Sequence, residues 1–133
     1  KQNGWEKILV LEDDVEPVTT PIQFIRELVA GLRETKEFDV LMLGWNNRGP
    51  DLQVTGITSP CRNLQTTSAY IVGEHFYDTL IADFIESAAK QVALDINWFE
   101  LQGRSKFYAF TPRILKQTAG HSDIEDKYVD YGV

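Results

Sequence analysis

Lys7-Ile8-Leu9-Val10-Leu11-Glu12-Asp13-Asp14 is the stretch on which the fold turns: an apolar, branched run that stops abruptly at three consecutive carboxylates. A short continuous apolar run of this kind reads as a strand buried on both faces, with acid at its C-terminal end. Downstream, Thr20-Pro21-Ile22-Gln23 carries a helix start. Thr20 can cap, Pro21 suits the first helical position, and Gln23 can reach back to complete a capping box. Ile22, Ile25, Leu28, Val29 and Leu32 then recur every three or four residues, which predicts a helix to about Glu34 with one apolar stripe facing a sheet.

The pattern repeats further on. Phe38 to Leu43 predicts a second buried strand, and Gly44-Trp45-Asn46-Asn47-Arg48-Gly49-Pro50 a long surface loop after it. Val54–Ile57 and Leu64–Thr66 are weak strand candidates, and Ser68–Val72 is a stronger one ended by Gly73. Phe76, Tyr77, Leu80, Ile81, Phe84, Ile85 and Ala88 predict a second amphipathic helix from Glu74 to about Gln91. Asp95 precedes a short helix that Gly103 would end, and Lys106–Thr111 reads as a last strand closed by Pro112. The tail is mostly polar, and no repeat or linker divides the chain. One α/β domain with strands interleaved by helices is the expectation for residues 1–133.

Composition narrows the function. With 43% hydrophobic residues among 133, the chain has material for one core. Thirteen Lys and Arg against twenty Asp and Glu give a net charge of −7, and no basic run occurs, so nucleic acid is excluded as an expected partner. No apolar stretch approaches the roughly 20 residues of a transmembrane helix, and no targeting signal is visible. Cys61 is the lone cysteine, which leaves neither an internal disulfide nor a zinc cluster of thiolates. Adjacent carboxylates at a strand end repel one another unless solvent or a cation offsets the charge, so Glu12-Asp13-Asp14 is either a solvated acidic loop or a magnesium or manganese site.

Two families share parts of this pattern. Lys7 to Asp14 resembles the opening of a response-regulator receiver domain. A receiver also needs an aspartate ending its third strand and a lysine ending its fifth, whereas here the second strong strand ends in Gly44-Trp45 and the last in Thr111-Pro112. The second resemblance spans more of the chain: Leu9–Val15, Leu43-Gly44-Trp45, Thr67–Val72, Asp95-Ile96-Asn97-Trp98, and Gln117 followed by Ser122-Asp123-Ile124. This ordered set is similar to glycosyltransferase family 25, which includes bacterial lipooligosaccharide galactosyltransferases and collagen galactosyltransferases.

That resemblance implies a GT-A-like, Rossmann-like nucleotide-sugar transferase core. It would move a hexose, foremost galactose, with inversion from a UDP-sugar donor to a saccharide or hydroxylated acceptor, in the bacterial cytoplasm. Glu12, Asp13 and Asp14 match the family's acidic motif for Mn2+ or Mg2+, with Asp14 as direct ligand and Glu12 or Asp13 touching ribose or a metal-bound water. A bridging divalent ion would turn the repulsion between a −7 chain and a diphosphate into attraction and stabilise departing UDP. Asp95 matches the later acidic position, where a base removes the acceptor proton, and is equally a helix N-cap. His121 corresponds more loosely to a further metal ligand or is simply solvated. Trp45, Asn46, Asn47 and Arg48 would be a solvated loop or a contact to sugar and phosphate, with Gln117 and Asp123 at the rim. Tyr70 and Trp98 read as core or support, and His75 as surface.

In the family the acidic motif stands deep within the domain, behind the strands and helix that hold uracil and ribose. Here it begins at residue 12. The expectation is therefore a core lacking its N-terminal nucleotide-binding part, or a non-catalytic relative kept for binding or assembly. A sheet without those strands would expose an unpaired edge, so a homo-oligomer or marginal stability is also expected.

Overall fold

The computed structural model describes residues 6–47, 52–62, 64–91, 94–118, 120–122 and 127–129. Thr20 Oγ1 accepts the Gln23 amide and Pro21 opens the first helix, α1 (Pro21–Glu34), as the sequence predicts. The Gln23 side chain does not complete a capping box, because its Nε2 donates to Glu27 Oε1 one turn on. The second helix, α2 (Tyr77–Lys90), follows a short 3₁₀ turn at Glu74–Phe76 and ends with Gln91 in the left-handed conformation. The third, α3, spans Leu94–Gly103.

A five-stranded mixed sheet lies between these helices. Strands β1 (Lys7–Leu11), β3 (Val40–Asn47), β4 (Thr58–Pro60), β5 (Leu64–Gly73) and β6 (Phe107–Phe110) are ordered β1-β5-β3-β6-β4. Only β3 and β6 run parallel; β5 is antiparallel to both β1 and β3, and β4 is antiparallel to β6. The C-terminal ends of β1, β3 and β6 therefore point the same way. Beyond that end, β2 (Val15–Pro17) pairs with β7 (Leu115–Gln117); separately, β8 (Gly120–Ser122) pairs with β9 (Lys127–Val129). A receiver sheet is parallel with its first strand inside. This sheet is mostly antiparallel with its first strand at an edge.

Alternation along the strands builds two cores. On one face Val40, Met42, Tyr70, Val72, Phe107 and Ala109 pack with Leu80 of α2 and with Trp98 and Leu101 of α3. Tyr70 meets Trp98 edge to face at 5.4 Å, and both are buried, as the sequence reading has them. On the other face Leu41, Leu43, Ala69, Ile71 and Phe110 pack under Phe24, Leu28 and Leu32 of α1. Gly31 lets α1 approach closely, since a Cβ there would strike the Phe110 ring.

Several expectations change. The β1 run is not buried on both faces: β1 is an edge strand whose Leu9 and Leu11 are 45% and 50% exposed. Continuous apolarity marks a core strand, but only Ile8 and Val10 pack into a core, and Leu9 and Leu11 on the α1 face stay exposed. Residues 54–57 are not a strand; pairing with β6 begins at Thr58. The separate candidates at Leu64–Thr66 and Ser68–Val72 are one ten-residue strand. Strands and helices do not alternate throughout, because β4 leads to β5 without a helix. Within α1, Ile22, Ile25 and Val29 are exposed, and Phe24 and Gly31 take the inner face.

Candidate functional site

The acidic strand end is built by four segments that converge at one end of the sheet. Leu11 and Gly44 flank Ala69 of β5, which lies between β1 and β3, and the Glu12 amide continues this ladder by donating to the Ser68 carbonyl at 2.8 Å. After a turn at Asp13 and Asp14, β2 runs against β7 in register Val15↔Gln117, and the Thr118 amide donates to the Asp14 carbonyl. Asp14 is thus held in the turn between β1 and β2, its carbonyl tied to the residue that follows β7.

The side chains differ in environment. Glu12 and Asp13 are exposed, and Glu12 Oε1 accepts from Thr67 Oγ1 at 3.4 Å. Asp14 is half-buried: its Oδ2 accepts from Gln117 Nε2 at 3.4 Å, whereas its Oδ1 is buried with no hydrogen-bond partner among the described residues. Ser68 Oγ is likewise buried and unpartnered. It lies in the crowded strand end where a Cβ on Gly44 would sit 3.2 Å from it and 3.1 Å from the Leu115 carbonyl oxygen. A buried carboxylate oxygen without a donor costs desolvation energy that a cation would offset. That makes Asp14 Oδ1 chemically suited to a hard divalent ion. Among the described residues, no three His, Cys, Asp or Glu side chains gather in a group that could hold a metal. Magnesium is ordinarily held by one or two carboxylates, with water and substrate phosphate completing the shell, so a single carboxylate oxygen fits that mode and a closed protein cage does not.

Trp45 and Asn46 are not in a surface loop. β3 continues through them to Asn47, with register irregularities at Met42/Gly44 and Gly44/Asn46. The extension is anchored by Trp45 Nε1, which donates to the Phe110 carbonyl at 2.8 Å, and by Arg113. Arg113 Nη1 donates to the Trp45 carbonyl at 3.3 Å and to Asn46 Oδ1 at 3.2 Å. Arg113, absent from the sequence-derived candidates, thereby places a cation at the same end of the sheet as the acidic turn. Its position just beyond the Thr111-Pro112 strand stop is the signal that could have marked it. Ser68 lies within the Thr67–Val72 stretch, where nothing local marks it as a site residue.

The other candidates are less fully placed. Asp95 lies within α3, one residue after its first, so it is in the first turn and not ahead of the helix; its side chain lies outside the described residues. His121 is in β8 opposite Tyr128, and Asn47 closes β3, but neither side chain is among those described. Arg48 and Asp123 fall wholly outside the described residues. His75 is 63% exposed and sits at the opposite end of the sheet, its Nε2 lying 2.7 Å from Asp39 Oδ1.

Two buried groups titrate late. Burial pushes the Cys61 thiol up to about 12. Burial first, and the charge of Glu12 second, push the Tyr70 phenol up to about 12. Neither is a nucleophile or base near neutral pH. No helix among the described residues is long and apolar enough to cross a membrane. Set against models of known protein families and against curated proteins, the chain matches none.

Proposed function

We propose that this chain is the metal-binding part of a GT-A-like nucleotide-sugar transferase core of the family 25 type. The observation that carries the reading is Asp14 Oδ1, a buried carboxylate oxygen with no donor among the described residues, held at the shared C-terminal end of β1, β3 and β6. Ligands of α/β sheets gather at such ends. Manganese or magnesium bound there would neutralise the donor diphosphate and stabilise the leaving UDP. Asp14 supplies the direct oxygen ligand, and Gln117 fixes its carboxylate through Oδ2. Arg113, on the far side of β5, offers a second positive charge to phosphate oxygens. Asp95 is the candidate base: the acceptor hydroxyl oxygen attacks the anomeric carbon, the bond from that carbon to the UDP oxygen breaks, and the hydroxyl proton passes to the carboxylate. Galactose as donor sugar, a saccharide or hydroxylated acceptor and a bacterial cytoplasmic setting belong to the same reading.

A non-catalytic relative is favoured by one observation: no three ligating side chains gather among the described residues. Calorimetric titration of UDP with and without manganese separates the two. The transferase reading expects binding that requires manganese, is lost in Asp14→Ala and survives in Asp95→Ala. Binding that ignores manganese, or survives Asp14→Ala, would overturn it.

A further inference from the structure

At the β4 edge of the sheet, across from the β1 edge that leads to Asp14, a cleft of about 370 Å³ opens beside the C-terminal end of α1. Glu34, Lys36 and Glu37 line it from the helix end and the residues just after it, Thr55 and Thr58 from the segment entering β4, and Tyr108 from β6. None of these residues belongs to the acidic turn or to its supports. The volume is that of a small-molecule site.

The walls of the cleft are fixed before any ligand arrives. Residues 54–57 form no strand, yet side-chain bonds hold the segment in one place. Glu34 Oε2 accepts the Thr58 amide at 3.0 Å, and the Thr35 and Thr58 hydroxyls, both buried, bond to each other. Ser59 Oγ accepts the Thr55 amide at 2.9 Å and bonds Thr111 Oγ1 at 2.8 Å, and Thr111 Oγ1 donates to the Gly56 carbonyl at 2.9 Å. Gly56 has no side chain to hold the Glu34 carboxylate off, since a Cβ there would lie 2.5 Å from Glu34 Oε1. A site whose polar groups are already held in place loses little freedom on binding.

The lining selects the ligand. Lys36 stands with the two carboxylates, and Lys106 Nζ lies 3.8 Å from Glu37 Oε2, so positive and negative charges match in number and favour neither a cation nor an anion. The remaining chemistry is that of carboxylate acceptors, an ammonium donor and hydroxyls that do both, beside one half-buried aromatic ring. This combination complements a neutral molecule that carries several hydroxyls on a compact ring and packs its C–H face against an aromatic side chain. We propose that the cleft binds a sugar unit, at a place separate from the acidic turn. The proposal stands whether or not Asp14 holds a metal.

Backbone amide shifts of the full chain, followed while methyl glucoside, methyl galactoside, methyl mannoside or N-acetylglucosamine is added, test this. With at least one sugar, saturable shifts are expected at Lys36, Glu37, Thr55, Gly56 and Tyr108, with a Kd of about 1 mM. They should persist in Asp14→Ala. Lys36→Ala with Glu37→Ala alters two exposed side chains and should leave the fold intact by circular dichroism. It should weaken sugar binding about tenfold, as the loss of one hydrogen bond to a charged group does. Ethanolamine and inorganic phosphate are the charged controls, and either one shifting these amides while no sugar does overturns the proposal. So does a lack of saturable shifts with all the sugars, sugar shifts confined to Glu12–Asp14, or sugar binding indifferent to the double variant.

Discussion

Replacing Asp14 by Asn should make the metal-free protein more stable while removing its response to manganese. Asp14 Oδ1 is buried without a donor, and Oδ2 keeps only the 3.4 Å bond from Gln117. A buried polar group left unsatisfied costs about 1–3 kcal/mol, more when it is charged. Asparagine keeps an oxygen to accept from Gln117 and removes the charge, along with its repulsion by Glu12 and Asp13, but leaves an amide in the unpartnered position. Part of the penalty is relieved, and a gain of about 1 kcal/mol is expected, raising the melting temperature by about 4 °C in a chain of this size. Manganese at about 100 times its Kd should stabilise the wild type by about 2.7 kcal/mol. It should do nothing for Asp14→Asn. The two proteins therefore exchange rank when metal is added, which calorimetry with and without manganese reads directly. An asparagine variant that melts lower without metal, or that gains as much from manganese as the wild type, refutes the reasoning.

Three further outcomes follow from the packing and the charges. Gly31→Ala gains about 1 kcal/mol of helix propensity but forces a methyl into the fully buried Phe110 ring, so a net loss of about 1 kcal/mol is expected; a higher urea midpoint would show that α1 does not sit against β6 this closely. The Cys61 thiol rises from its ordinary 9.0, and the Tyr70 phenol from 10.0, each to about 12. Both groups hold their protons more tightly when folded, so their stabilisation is whole below pH 9 and declines as pH climbs toward 12. Denaturant titrations across that range check the slope, and a thiol reagent should label Cys61 only as the chain unfolds. Arg113→Met should weaken manganese-dependent UDP binding severalfold while leaving manganese affinity itself unchanged; equal loss of both would assign Arg113 to holding the β3 extension instead.

The helices were readable because their signals are local. Thr20, Pro21 and the three-and-four spacing mark α1, and the Phe76–Ala88 pattern marks α2. Which flank of each faces inward was not readable. Ile22, Ile25 and Val29 are as apolar as Phe24 and Leu28, and the choice between them rests on Gly31 meeting Phe110, a contact between residues 79 positions apart. The strands misled for a related reason. Ile8 to Leu11 looks doubly buried, yet burial depends on what lies beside the strand, and β1 has no described neighbour on one side. Gly44 and the polar residues after it signal a loop, but Trp45 and Arg113 tie that segment into β3 through bonds to distant backbone. The short strand Leu115–Gln117 has no pattern of its own and exists through pairing with Val15–Pro17.

The site divides along the same line. Asp14 and Gln117 were both legible as candidates, and the fold brings them to 3.4 Å. The unpartnered Ser68 hydroxyl and the Arg113 cation acquire meaning only once β3, β5 and β7 are assembled around Gly44.

Paramagnetic broadening of backbone amide resonances by manganese locates the ion at or away from Asp14 without needing donor or acceptor. Broadening is expected to centre on Glu12–Asp14, to extend to Gly44, Ser68 and Gln117-Thr118, and to vanish in Asp14→Ala. Broadening centred on the other acidic surface, around Glu34 and Glu37 beside Tyr108, or the same pattern persisting in Asp14→Ala, would contradict it.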